Sequence, residues 1–205
     1  MKLMPALFPA DVNLTTDFNR AQNAYAERLA YATEQRQNEL WSAGPLLHAE
    51  PFDFERLGFA PGKLLSKQPA STKNKYCYWL NEQGEVLTIR KGIDVPDQFY
   101  DEFFFIEEGL SKSCLYGNTK LLQNVKTRLF KDGRISEVFM MGGRGSKHET
   151  FYYESDNLVS IHVEQWSSEQ VGTSYNTVFK YHNSQLHEII NEYDNEYREV
   201  RYKAR

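Results

Sequence analysis

The sequence has little cysteine, no long apolar run and no excess of positive charge, and each absence excludes a class of protein. Among 205 residues only Cys77 and Cys114 carry thiols, too few for a disulfide scaffold, so both are expected to be buried and reduced. No run approaches the ~18 apolar residues that a membrane-spanning helix needs. Pro5 and Pro9 interrupt the apolar start of the chain, which argues against a secretory signal and favours a cytoplasmic protein.

Signatures of catalysis and of cofactor binding are missing as well. No nucleophile elbow or cysteine–histidine motif is recognisable, and His182 and His187, the two neighbouring histidines, have no third ligand at a fixed spacing. The glycine-rich segment 142–148 contains Arg144 and Lys147, but it precedes a predicted strand, so it lacks the helix dipole of a phosphate loop. The sequence therefore predicts a non-enzymatic protein without metal or cofactor, and Arg144 and Lys147 are candidate contacts for an anion or a partner.

The net charge of −4 is unevenly distributed along the chain. Residues 1–75 carry nine Lys and Arg against eight Asp and Glu, whereas residues 76–205 carry 15 against 20. An acidic surface repels nucleic-acid phosphates and attracts a basic protein, although solvated loops and edges are an alternative explanation of such charge. The candidate partner-binding residues are Asp94, Asp97, Asp101, Glu102, Glu107, Glu108, Glu192, Asp194 and Glu196.

The first 75 residues have helical and irregular patterns. Apolar residues between Asp17 and Trp41 follow helical spacing, which predicts one amphipathic helix of about six turns. Gly44-Pro45 is expected to end this helix. Residues 51–62 are expected to wrap the sheet as an irregular arm, and residues 67–75 resemble a polar linker.

From Tyr76 to Val200 the chain repeats one phrase: an aromatic or bulky apolar residue, a short polar turn, and an apolar residue five positions on. Turn formers such as Asp132-Gly133 separate runs of period two, which is a strong hairpin signal. The predicted fold class is α+β, mainly β, with the N-terminal helix followed by a curved antiparallel meander of about nine or ten strands, an open half-barrel. Residues 1–75 are expected to pack on residues 76–205 as one folded unit. The copies begin at Phe105, Phe130, Tyr153 and Tyr181, with looser versions at Leu80 and Tyr193.

The repeated phrase, seen best in Phe130–Ile135 and Tyr193–Asn195, resembles the tyrosine-aspartate repeats of bacterial Rhs proteins. The chain has too few copies to enclose a cargo, and in type it is similar to the small cytoplasmic immunity proteins that neutralise polymorphic toxins. That resemblance implies a steric mechanism. The protein would occlude a toxin's active site, with Asp and Glu in place of a nucleic-acid substrate or paired with the toxin's Lys and Arg.

Three functions follow from these patterns. The first is a protein-binding module, an immunity protein that inhibits a basic toxin domain through the acidic surface. The alternative is a carrier of a small molecule or lipid on the concave face of a half-barrel, and the third is an enzyme with a site scattered over loops. Under the first, charge reversal at Asp101 and Glu102, or at Glu107 and Glu108, is expected to abolish inhibition and leave the stability of the fold almost unchanged.

Overall fold

A computed structural model of the chain describes residues 12–107, 109–169 and 171–204. The helices are α1 (Leu14–Ala21), α2 (Tyr25–Gln35) and α3 (Asp53–Arg56). The strands are β1 (Asn38–Ala43), β2 (Lys63–Leu65), β3 (Lys75–Leu80), β4 (Val86–Gly92), β5 (Phe99–Glu107), β6 (Leu110–Tyr116), β7 (Leu122–Lys131), β8 (Arg134–Gly142), β9 (Gly145–Glu154), β10 (Asn157–Ser167), β11 (Gly172–His182), β12 (Gln185–Tyr193) and β13 (Arg198–Lys203).

All 13 strands form a single antiparallel sheet. From β3 to β13 each strand pairs with the next one along the chain, whereas β1 lies between β3 and β2. The edge strands β2 and β13 have one neighbour each, so the sheet is not closed into a barrel. The predicted class, mainly β and antiparallel, is therefore confirmed.

The period-two runs of the sequence correspond to nine strands, β3 to β5 and β7 to β12, so the predicted count of nine or ten is too low and four of the 13 strands have no such run. Strand β2 has only three residues, and β13 alternates charged residues with Val200 and Tyr202. Strand β6 was missed because Lys112 and Ser113 interrupt its apolar pattern, although both are buried. The fourth is β1, which lies in the stretch that the sequence assigned to a helix.

The single helix predicted from Asp17 to Trp41 is wrong. The chain leaves α1 at residue 22, resumes helix in α2, and then pairs as β1 against β3. In β1, Leu40 and Trp41 pack into two different apolar clusters, on opposite faces of the sheet. Side chains that alternate between two faces are typical of a strand. The helix was predicted because the spacing of the same residues from Phe18 also fits a helix. Gly44, with φ +93°, follows β1 and so does not end a helix.

Different segments cover the two faces of the sheet. Directly opposed residues of antiparallel strands share a face, so Phe103, Cys114 and Val125 lie on one face, where α1 and α2 complete an apolar core. We call it the helix-side face. The opposite, arm-side face is covered by residues 44–62, the arm, whose Phe52 ring lies 5.5 Å from that of Phe179.

The repeated phrase is a bulged hairpin. Phe130 pairs with Ile135 across the turn, but Leu129 pairs with Glu137, so Ser136 is an extra residue that shifts the register. Such a bulge increases the local twist of the strands. The same arrangement accompanies the pairs Tyr153–Leu158 and Tyr181–Leu186.

Candidate functional site

Part of the helix-side face has no cover among the residues that the structure describes. α1 packs on β7 and β8, α2 packs on β4 and β5, and α3 contacts β13. Two adjacent rows of polar side chains cross the uncovered strands, and we call these rows the open face. One row contains Glu137, Thr150, His162, Asn176, Glu192 and Arg198. The other contains His148, Glu164 and Ser174.

Contacts within the rows hold the side chains of the open face in place. The ring of His148 stacks on Phe139 with centroids 4.4 Å apart. Its Nε2 lies 2.8 Å from Glu137 Oε2, and its Nδ1 lies 3.4 Å from Glu164 Oε2. In the neighbouring row Arg198 pairs with Glu192, with 3.1 Å between nitrogen and oxygen. These contacts hold Glu137, Glu164 and Glu192 in fixed positions.

A notch of about 510 Å³ opens at one end of the open face. Its lining includes the carboxylates of Glu164 and Asp194 and the indole of Trp166. The indole lies against Gly172, where an added Cβ would be 3.1 Å from two of its ring atoms. Two carboxylates beside an aromatic ring suit a Lys or Arg side chain, because the ion pair and the cation–π attraction act together.

Asp101 is not at the surface: it is fully buried, with 0 % exposure. Its carboxylate accepts hydrogen bonds from Arg90 Nε at 2.9 Å, Tyr25 Oη at 2.7 Å and Lys120 Nζ at 3.1 Å. Burial alone would raise the pKa of Asp101, but Arg90, with Tyr25 and Lys120, lowers this pKa below its ordinary value. The prediction that Asp101 contacts a partner is therefore wrong, and reversing its charge is expected to destabilise the fold.

Two neighbours of Asp101 in the acidic segment also have partners inside the chain. Glu102 accepts a hydrogen bond from Ser113 Oγ at 2.8 Å. Glu107 lies 2.9 Å from Lys112 Nζ, and that hydrogen bond lowers the pKa of Glu107. Glu108 lies outside the described residues. The segment is therefore largely neutralised by its own fold.

The remaining acidic candidates are exposed in two separate regions. Asp94 and Asp97 lie between β4 and β5, and Asp94 pairs with Lys73 at 2.7 Å. Both lie several strands away from the open face in the order of the sheet. The candidates that belong to the open face or to the turn at its end are Glu192, Asp194 and Glu196.

Arg144 and Lys147 do not form one anion site. Arg144 is exposed in the turn between β8 and β9, where its carbonyl accepts a hydrogen bond from Ser168 N at 3.0 Å. Lys147 lies on the arm-side face, with its Nζ 2.9 Å from Glu149. Arg144 and Lys147 therefore lie in different environments and do not converge on one ligand.

A cluster of charged side chains that is buried under the arm was not predicted from the sequence. Glu50 of the arm pairs with Lys126 at 3.0 Å and with Arg128 at 2.7 Å. A second ion pair joins Arg56 of the arm to Glu149 of β9. The one feature of the sequence that could have indicated this cluster is that charged residues occupy strand positions on the arm-side face.

The two thiols of the chain are buried, and the neighbouring histidines singled out in the sequence are far apart. Cys77 and Cys114 are free and buried, and burial raises the pKa of each thiol to about 12, so neither is a thiolate at neutral pH. The rings of His182 and His187 lie 6.4 Å apart. Among the described residues no group of three His, Cys, Asp or Glu side chains is placed to hold a metal ion, and no helix is long and apolar enough to cross a membrane.

Comparison of the chain with models of known protein families, with curated proteins and with solved structures gives no match. The site has therefore to be interpreted from its own geometry.

Proposed function

We propose that the chain is a non-enzymatic protein-binding module, an immunity protein that neutralises a basic toxin by occluding its active site with the open face. The observation that supports this most is the pair of polar rows, which begins at Glu137 on the strand that α1 contacts and crosses β9 to β13, strands that neither helix nor arm covers on that side in the part of the chain that the structure describes. With Asp194 at their end, the rows present four carboxylates and one Arg.

The dimensions of the open face suit a protein partner. The longer row extends from β8 to β13, and five inter-strand spacings give a width of about 24 Å. Rows two residues apart are about 7 Å from each other along the strands, so the two polar rows and the apolar row beside them offer on the order of 500 Å², toward the lower end of the areas that protein interfaces use. A standard interface uses about 800 Å² from each partner, whereas a small molecule would use a deeper and more enclosed cavity.

The composition of the face also suits an interface. Beside the polar rows lies a third row with Tyr152, Val178 and Val200, of which Tyr152 and Val200 are exposed. An apolar strip next to charged rows resembles the core and rim of a protein interface. The notch at Glu164 and Asp194 would receive one Lys or Arg of the partner as an anchor.

Electrostatics would direct the encounter as well as the final contact. A row of carboxylates on a rigid sheet raises the rate of association with a basic surface and excludes acidic partners. Since the carboxylates are already held by neighbouring strands, little side-chain entropy is lost on binding. A toxin that binds nucleic acid would expose such a basic surface.

We predict that reversing two charges in the notch weakens partner binding at least about 100-fold. The variant is Glu164→Lys with Asp194→Lys, and the matched control is Asp94→Lys with Asp97→Lys, which changes the net charge equally at another exposed site. The partner is first retained from host lysate on the immobilised protein, identified by mass spectrometry and tested for loss at high salt. Affinities are then measured by calorimetry.

The control variant is expected to bind within about threefold of the wild type, since exposed charges far from an interface act weakly through screened solution. Equal weakening by both variants would show a nonspecific effect of net charge. Unchanged binding by the notch variant would show that the partner uses another surface. In either case the open face would not be the inhibitory surface.

An apolar cavity favours the carrier as the second candidate. This cavity of about 660 Å³ lies beside the arm and is lined by Phe52, Phe130, Tyr153 and Leu186, among others. A small molecule that co-purifies with the chain, together with the absence of a retained protein, would support the carrier and count against the immunity function.

A further inference from the structure

The sheet contains a cleft between β4 and β5, at the end where their pairing stops. The last paired residues are Thr88 and Phe103. Beyond them β5 continues to Glu107 and β4 extends back to Val86, but these extensions pair only with β6 and β3. A cavity of about 550 Å³ lies between them.

This cleft exposes a strand edge inside the sheet. Residues 104–107 have a partner on their β6 side and none on their β4 side. In an antiparallel strand alternate residues direct N–H and C=O groups to each side, so every second residue of this segment points its backbone groups into the cleft. Four residues span about 13 Å, which is enough to pair with a short extended peptide.

The wall on the helix-side face contains the guanidinium of Arg28, which has no salt bridge within the described residues, although its charge contributes to the lowered pKa of Glu107. The Arg28 guanidinium of α2 stacks on the Phe105 ring, 3.7 Å from its centroid. Among the described residues its Nε is buried and has no hydrogen-bond partner. Tyr31 of the same helix lines the cleft and is 53 % exposed. A carboxylate placed here would meet a cation that is already desolvated in part, where charge-assisted bonds are strong.

The wall on the arm-side face is apolar. Val86, Phe104 and Ile106 line it, and Ile106 is 71 % exposed. Glu27 and Glu85 also border the cleft, and Glu85 already accepts a hydrogen bond from Asn81. These two carboxylates disfavour a strongly acidic ligand, so a single acidic residue fits better than a run.

We propose that the cleft binds an extended segment of a partner protein as an added strand beside residues 104–107. Successive side chains of a strand point to opposite faces, so one acidic side chain of the segment faces Arg28 while its neighbours face Val86 and Ile106. Backbone hydrogen bonds supply affinity, and the alternating walls supply selectivity. The cleft is distinct from the open face, and it does not depend on the immunity function.

A selection with random peptides tests this proposal. A library of displayed heptapeptides is panned against the full chain, and binders that also bind the Arg28→Gln variant are removed. The expected consensus alternates apolar residues with one acidic residue. A labelled peptide of that consensus is expected to bind Arg28→Gln at least about tenfold more weakly, because one charge-assisted hydrogen bond is lost. Changing the peptide's acid to its amide is expected to have the same effect.

Backbone methylation separates strand addition from ordinary side-chain binding. Two methylated peptides are made, one with N-methyl groups on the odd residues and one with N-methyl groups on the even residues. One of them is expected to lose binding and the other to retain it, because only one set of N–H groups faces the cleft edge. The Ile106→Asp variant changes an exposed side chain, so its thermal unfolding is expected to match that of the wild type. Its affinity for the peptide is expected to fall by a similar factor.

The open-face variant Glu164→Lys with Asp194→Lys is the control and is expected to bind the peptide as the wild type does. The proposal is overturned if the selection returns no peptide that distinguishes the wild type from Arg28→Gln. It is also overturned if both methylated peptides still bind. The same holds if the open-face variant no longer binds the peptide while Ile106→Asp still binds it.

Discussion

Replacing Glu50 with glutamine is expected to lower the free energy of unfolding by about 3–5 kcal/mol. Glu50 is 3 % exposed, and its partner Arg128 is 2 % exposed. Arg128 donates two hydrogen bonds to Glu50 Oε1, at 3.0 and 2.7 Å, and Lys126 donates a third at 3.0 Å. Without the carboxylate charge the buried Arg128 and the partly exposed Lys126 lose their nearest counter-charge. Chemical denaturation at neutral pH measures the difference.

The control is Glu154→Gln, which changes an exposed glutamate on β9 and is expected to change stability by less than about 0.5 kcal/mol. A second variant, Glu50→Leu with Lys126→Met and Arg128→Met, removes the carboxylate together with both of its cations and is expected to recover much of the loss, because neither cation is then left without its counter-charge. If Glu50→Gln were no more destabilising than the control, the ion pairs would not be what holds the arm on the sheet.

The buried charges also connect the arm to the open face. Glu149 pairs with Arg56 on the arm side, and its neighbours His148 and Thr150 point to the opposite side, within the two polar rows. Alternate residues of one strand point to opposite faces of the sheet. Contacts with the arm therefore hold β9 in place from the face opposite to the open face. Loss of the arm contacts should therefore loosen the very side chains that we assign to partner binding.

The hairpins were the most predictable part of the fold. Asp132 and Gly133 both have positive φ, +53° and +74°, as the type I′ turn expected for Asp-Gly requires. The phrase at Phe105 is an exception, since Glu107 and not Phe105 pairs with Leu110, and that hairpin has no bulge. Local turn chemistry is encoded in adjacent residues, so the sequence alone is sufficient for it.

The candidate site was much less predictable, because burial is decided by distant residues. Asp94 and Asp101 belong to one acidic segment, yet Asp94 is exposed and Asp101 is buried. What separates them is the approach of Tyr25 and Lys120, which are 76 and 19 residues away from Asp101. The open face was hidden for the same reason: its rows combine single residues from successive strands, and no short segment of sequence contains them.

Replacing Asp101 with asparagine is expected to lower the free energy of unfolding by about 3 kcal/mol or more, because the substitution leaves Arg90 and Lys120 without their shared carboxylate. Asp97→Asn is the matched control at an exposed turn and is expected to have little effect. Denaturation curves of both variants and the wild type, recorded from pH 7 to pH 2, give the comparison.

The pH dependence identifies the charge of Asp101 as the cause. Its pKa in the folded protein is lowered from an ordinary value of 3.8, so its stabilising effect is complete above that value and disappears as the pH falls through it toward the folded-state pKa. The difference between wild type and Asp101→Asn should therefore be constant from pH 7 to about pH 5 and shrink in more acidic solution. A difference that stays constant down to pH 2 would assign the loss to altered packing, and the ion pairs that join α2 and β4 to β5 would then contribute little.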